Sequence, residues 1–107
     1  GKLPLWLTPD QVNIVPVSEK YEEYAKKVCS LLNNSDIRAA VDDRNETLGK
    51  RIRESELKRI PFLVIVGEKE MNENTVSVRR QGGIDAGTMP VDEFVALVSN
   101  EIKDQLS

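Results

Sequence analysis

Histidine is absent from all 107 residues. That removes the commonest general base at neutral pH, the usual zinc ligand, and every arrangement in which an imidazole activates a serine or cysteine. Most hydrolytic chemistry is thereby excluded, and no catalytic residue or metal ligand set is expected. Cysteine occurs once, too few for a disulfide framework, which makes a reducing cytoplasm the expected compartment. No apolar run approaches the roughly 18 residues that span a bilayer. The N-terminus also lacks the basic stretch, apolar block and cleavage site of a signal peptide, so no membrane partner is expected. A broad excess of positive charge is missing too. The net charge of −3 argues against a protein that coats nucleic acid without regard to sequence.

What is present is a globular balance of 39% apolar and 31% charged residues, in a chain long enough for one core. A single domain over residues 1–107 is expected, with 1–10 as an extended arm. In that arm Pro4 and Pro9 forbid helix, and Trp6 is costly to leave in water. Charge is unevenly placed. From Arg38 to Arg59 seven basic residues face five acidic ones, leaving eight against thirteen elsewhere, so any nucleic-acid contact should be local.

The β-branched run Val12 to Val17 reads as an inner strand ending near Pro16. Ser18, with Glu19, Glu22 and Glu23 behind it, reads as the N-cap and acidic first turn of a helix whose apolar face is Tyr21, Tyr24, Ala25, Val28, Leu31 and Leu32. Asn33 to Asp36 ends it. Ile37 to Val41 is a second short strand. The next helix has only a thin apolar edge of Leu48, Ile52 and Leu57, with Lys50, Arg51, Arg53, Lys58 and Arg59 covering the rest, so it is expected on the surface. Pro61 stops it, and Phe62 to Val66 is a buried strand. Thr75 to Arg79 alternates with period two after the turn residues Asn72 to Asn74, which predicts a hairpin with the strand before it. A short edge strand punctuated by Gly87 and Pro90 leads to a closing helix with Val91, Phe94, Val95, Val98, Ile102 and Leu106 on one face. The expected fold is α/β and three-layered: a five-stranded mixed sheet, βαβαβ and then an antiparallel hairpin and a C-terminal helix.

In such sheets the loops at the carboxyl ends of the strands form the default binding rim. The run Asp42 to Thr47 occupies one such end, as a solvated turn or as a reader of bases, because the Asn45 amide presents donor and acceptor side by side. Beyond the third strand, the Glu70 carboxylate suits the paired N–H groups of guanine and Arg79 suits base oxygens or phosphate; a surface salt bridge across the strands is the plainer alternative. Cys29 has no histidine to activate it and reads as a small buried hydrophobe. Gly82 and Gly83 lack the spacing of a dinucleotide loop. Asp42 and Asp43 could serve a receiver-like, flavodoxin-ordered domain, but Gly67 stands where such a domain needs its acceptor Asp.

Read in order, Trp6-Leu7-Thr8-Pro9-Asp10-Gln11-Val12, Asp43-Arg44-Asn45-Glu46, Leu48-Gly49-Lys50-Arg51-Ile52-Arg53-Glu54, Arg59-Ile60-Pro61-Phe62, Gly67-Glu68-Lys69-Glu70, Val76-Ser77-Val78-Arg79 and Gly87-Thr88-Met89 resemble the anticodon-binding domain of threonyl-tRNA synthetase, a class II aminoacyl-tRNA synthetase. The prolyl, glycyl and histidyl synthetases share the fold and parts of the pattern. The resemblance implies a non-catalytic module that holds the anticodon loop of threonine tRNA. The parent ligase is then a homodimer whose ATP, Mg²⁺ and zinc belong to its catalytic portion. It also implies that Asn45, Glu70 and Arg79 contact anticodon bases, with Arg44, Lys50 and Lys69 in the same RNA-binding set. Thr47 departs from the pattern by standing where the family often has Lys. Lys50, Arg51 or Lys69 are left to make the phosphate contact.

Overall fold

A computed structural model describes residues 10–43, 46–58, 60–80 and 84–106. The N-terminal arm through Pro9, including Trp6, and also Arg59, Gly82 and Gly83 lie outside the described residues. Along the chain run β1 (Val12–Pro16), a short 3-10 turn (Glu19–Tyr21), α1 (Glu22–Asn34), β2 (Ala39–Val41), α2 (Leu48–Leu57), β3 (Phe62–Val66), α3 (Glu68–Glu73), β4 (Thr75–Arg80), β5 (Ile84–Pro90) and α4 (Val91–Leu106).

The strands form one sheet in the order β2-β1-β3-β4-β5. β1 pairs in parallel with β2 and β3, while β4 runs antiparallel to β3, and β5 to β4. This is the expected five-stranded mixed sheet. Every residue of β1 is buried, because the strand is central and covered on both faces.

Strand alternation sorts the side chains by parity. Val12, Ile14, Phe62, Val64, Val66, Val76 and Val78 point to one face and meet Tyr24, Ala25, Val28 and Leu32 of α1 and Val91, Phe94 and Val98 of α4 in a single core. Phe62 and Phe94 meet edge to face there, with centroids 5.7 Å apart. The other face carries Asn13, Val15, Leu63, Ile65, Ser77 and Arg79, and α2 lies over it at β1. Beyond that cover Ile65 and Ser77 are half-buried, and Arg79, Asp85 and Thr88 are exposed. One half of this face is therefore open to solvent.

Several expectations change. The second strand is shorter than expected, and Ile37 is a core residue before it. Ser18 heads the 3-10 turn without a side-chain cap bond. The connection between β3 and β4 is a helix of six residues, not a simple turn: the Glu70 carboxylate accepts from the Gly67 N–H at 2.8 Å, and Asn74 ends the helix in the left-handed region at φ 56°. The largest correction concerns α2. Leu57 is 74% exposed, whereas Arg51 and Ser55 are buried, so the helix seats a polar stripe on β1 and leaves an apolar residue in water.

Candidate nucleic-acid interface

The carboxyl ends of β1, β2 and β3 converge at one rim, because those three strands are parallel. β1 sits where the chain turns first to β2 and then back across to β3, which is the topological switch point of an open sheet. At the end of β2 the backbone is pinned on both sides of a loop. Asp42 N–H donates to Ile14 O at 2.8 Å, and Arg51 Nη1 donates to Asp42 O at 3.1 Å. On the far side the Thr47 hydroxyl accepts from Lys50 N–H at 3.3 Å and caps α2. Arg44 and Asn45 fall between these anchors in sequence but lie outside the described residues.

The remaining expected contacts divide between two places. Lys69 and Glu70 stand on α3 at the end of β3, with Lys69 exposed and Glu70 half-buried. Lys50 is exposed in the first turn of α2, its Nζ 3.3 Å from Glu46 Oε2. Arg79 lies elsewhere, on the open face of β4, opposite Leu63 near the start of β3. At a rise of about 3.3 Å per residue, the four residues from Leu63 to Gly67 set Arg79 about 13 Å along the sheet from the rim. The plainer alternative of a salt bridge between Glu70 and Arg79 is not formed: Glu70 bonds Gly67, and Arg79 has no ion pair among the described residues.

Adjacent Arg80 has the opposite role. Its guanidinium makes a two-pronged ion pair with Glu101 of α4, at 2.5 and 2.8 Å, and lies 4.8 Å over the Phe62 ring. The hydrogen bonds from Glu101 hold its pKa above the ordinary value, against the opposing effect of burial. Arg80 is thus tied to the core side of the sheet. Strand alternation alone separates it from Arg79.

Other groups settle as structure. Cys29 is half-buried; its thiol donates to Ala39 O at 3.3 Å, and burial raises its pKa although Asn33 Nδ2 donates to the sulfur. Tyr24 donates to Thr75 O at 2.7 Å, and burial, with the Glu70 carboxylate nearby, raises its pKa. Among the described residues no group of three or more acidic or cysteine side chains could hold a metal ion. Sequence reasoning placed Arg51 in solvent and overlooked the Thr47 cap. The Thr47 signal was legible as a hydroxyl ahead of a helical pattern; the burial of Arg51 had no local signal.

A five-stranded mixed sheet with helices on both faces, an open half-face and polar side chains at its carboxyl-end rim is the architecture of an α/β binding module. Residues 11–101 match the family described as anticodon binding domain, and the chain belongs to that family. It is 55% identical over its full length to the threonine–tRNA ligase of Porphyromonas gingivalis, and 54% identical to that of Bacteroides thetaiotaomicron. It spans 16% and 17% of the lengths of those relatives. Among solved structures, the RNA-binding domain of threonyl-tRNA synthetase from Cryptosporidium parvum superposes with a TM-score of 0.88 at 32% identity, over 94% of this chain and 26% of that one. A prolyl-tRNA synthetase from the same organism shares the fold, with a TM-score of 0.81 at 23% identity over 97% of this chain and 24% of that one.

Proposed function

We propose that this chain is the anticodon-recognition module of a threonine–tRNA ligase and that it grips the anticodon loop of threonine tRNA. The identity of 55% over all 107 residues with a threonine–tRNA ligase carries the assignment. The exposed Arg79 guanidinium, without an ion pair among the described residues, on an uncovered half-sheet is the feature a splayed nucleotide would use. Threonine anticodons share a central G followed by U. Glu70 accepts from the N1–H and N2–H of the guanine, and Asn45 or Arg79 addresses the uracil, with Arg44, Lys50 and Lys69 drawing in the backbone. Catalysis belongs to the parent enzyme, a cytoplasmic homodimer that uses ATP, Mg²⁺ and zinc in its other domains. This module supplies recognition.

The test is binding of a synthetic RNA hairpin carrying the threonine anticodon stem and loop. Binding should weaken at least about tenfold when the central G is replaced, the scale of one lost multi-bond base contact. Glu70→Gln should erase most of that discrimination. The amide oxygen can still accept from Gly67 N–H, so the α3 start survives the change. Equal binding of both hairpins would overturn the assignment.

A further inference from the structure

Gly67 links β3 to α3 and is buried. Its backbone, at φ −140° and ψ −160°, is extended, a conformation any residue adopts, so the dihedral angles do not call for glycine here. Space does. A Cβ at this position would stand 3.3 Å from Glu70 Oε1 and 3.2 Å from Val17 Cγ2, inside ordinary van der Waals contact on both sides. Val17 is the stiffer neighbour, because its N–H donates to Val66 O at 2.9 Å and its branched side chain is restricted at χ1. The Glu70 carboxylate, half-buried at the end of a flexible stem, is therefore the group that would move. Where it now stands, its Oε1 accepts from Gly67 N–H at 2.8 Å, a charge-assisted bond that restricts its orientation.

We propose that Gly67 is a positioning residue for base recognition: its N–H and its missing Cβ together hold the Glu70 carboxylate where it accepts from both N1–H and N2–H of the central guanine. The inference rests on the anticodon reading above, and it adds a residue that acts only through Glu70. A carboxylate oriented beforehand loses less freedom when the base arrives and meets both guanine donors at once. Pushed off the Gly67 N–H, it keeps one of them.

The experiment compares binding of the 107-residue chain to threonine anticodon hairpins carrying guanine, hypoxanthine or adenine at the central position. Hypoxanthine keeps the N1–H of guanine and lacks its N2 amino group, so it reports the second bond alone. The unsubstituted protein should bind the hypoxanthine hairpin about tenfold more weakly than the guanine one, the scale of one hydrogen bond to a charged acceptor. In Gly67→Ala that ratio should fall below about twofold, with the hypoxanthine hairpin bound within about twofold of its affinity for the unsubstituted protein. Added to Glu70→Gln, the same change should alter guanine-hairpin affinity by less than about twofold, since two residues acting through one contact are not additive. A merely structural glycine would weaken all three hairpins alike and leave the ratio intact. That result, or equal binding of the guanine and hypoxanthine hairpins by the unsubstituted protein, overturns this inference alone when the adenine penalty is normal. Equal binding of the guanine and adenine hairpins by the unsubstituted protein overturns the anticodon reading and this inference with it. Amide hydrogen exchange of the unsubstituted protein is a second check that needs no variant to fold. Gly67 N–H should exchange slowly both free and with the guanine hairpin bound; faster exchange on binding means that the carboxylate leaves Gly67 to reach the base, and overturns the proposal.

Discussion

Arg79 and Arg80 are consecutive, yet the pleat sends one to the open face and the other to α4. Their replacements should therefore separate binding from stability. Arg79→Ala is expected to weaken hairpin binding about tenfold with no change in melting temperature, since an exposed side chain contributes little to folding. Arg80→Ala should leave binding nearly unchanged and cost about 1 kcal/mol in chemical denaturation, the sum of a partly exposed ion pair and a cation–π contact. Tyr24 adds a pH dependence. Its folded pKa is raised, so the neutral phenol is favoured in the fold; the stabilisation is complete below the unfolded tyrosine pKa and is lost as pH rises through the folded one. Unfolding free energy should fall on the alkaline side of the ordinary tyrosine range. Tyr24→Phe should remove that fall while costing about 1 kcal/mol at neutral pH for the lost bond to Thr75 O.

At the scale of elements, patterns with a strong period were legible and short or polar ones were not. β1, β3, β4, α1 and α4 follow from β-branched runs, alternation or an apolar helical face, each of which needs only its own residues to declare itself. α3 was not legible, because residues 72–74 read as turn chemistry and the helix depends on the Glu70 carboxylate reaching back to Gly67 N–H. The apolar edge expected for α2 failed for a related reason: which side of a weakly amphipathic helix is buried depends on the strand beneath it. The cap of that helix yields a prediction. Thr47→Ala should lower stability by about 1 kcal/mol, the usual scale for losing a hydroxyl N-cap. Thr47→Lys should lower it similarly, yet steepen the salt dependence of RNA binding by adding a charge at the rim.

For the molecule as a whole, a net charge of −3 limits nonspecific attraction to RNA, and the basic excess lies in one stretch of the chain, from Arg38 to Arg59. Binding should accordingly fall with salt along a shallow slope set by the few cations near the rim, and unrelated hairpins should compete weakly. Sequence by itself determined the absence of imidazole chemistry, the order of the strands and of the helices other than α3, the antiparallel close of the sheet and the resemblance that points to tRNA, because these rest on composition, period and local motif. The chemical aptness of Asn45, Glu70 and Arg79 was also readable from residue type. Only tertiary structure decided that Arg79 is exposed while Arg80 is held, that Glu70 also starts a helix, and that Arg51 is buried on the inner side of α2. Those outcomes depend on which face of an element meets another, and a single segment does not encode its neighbour.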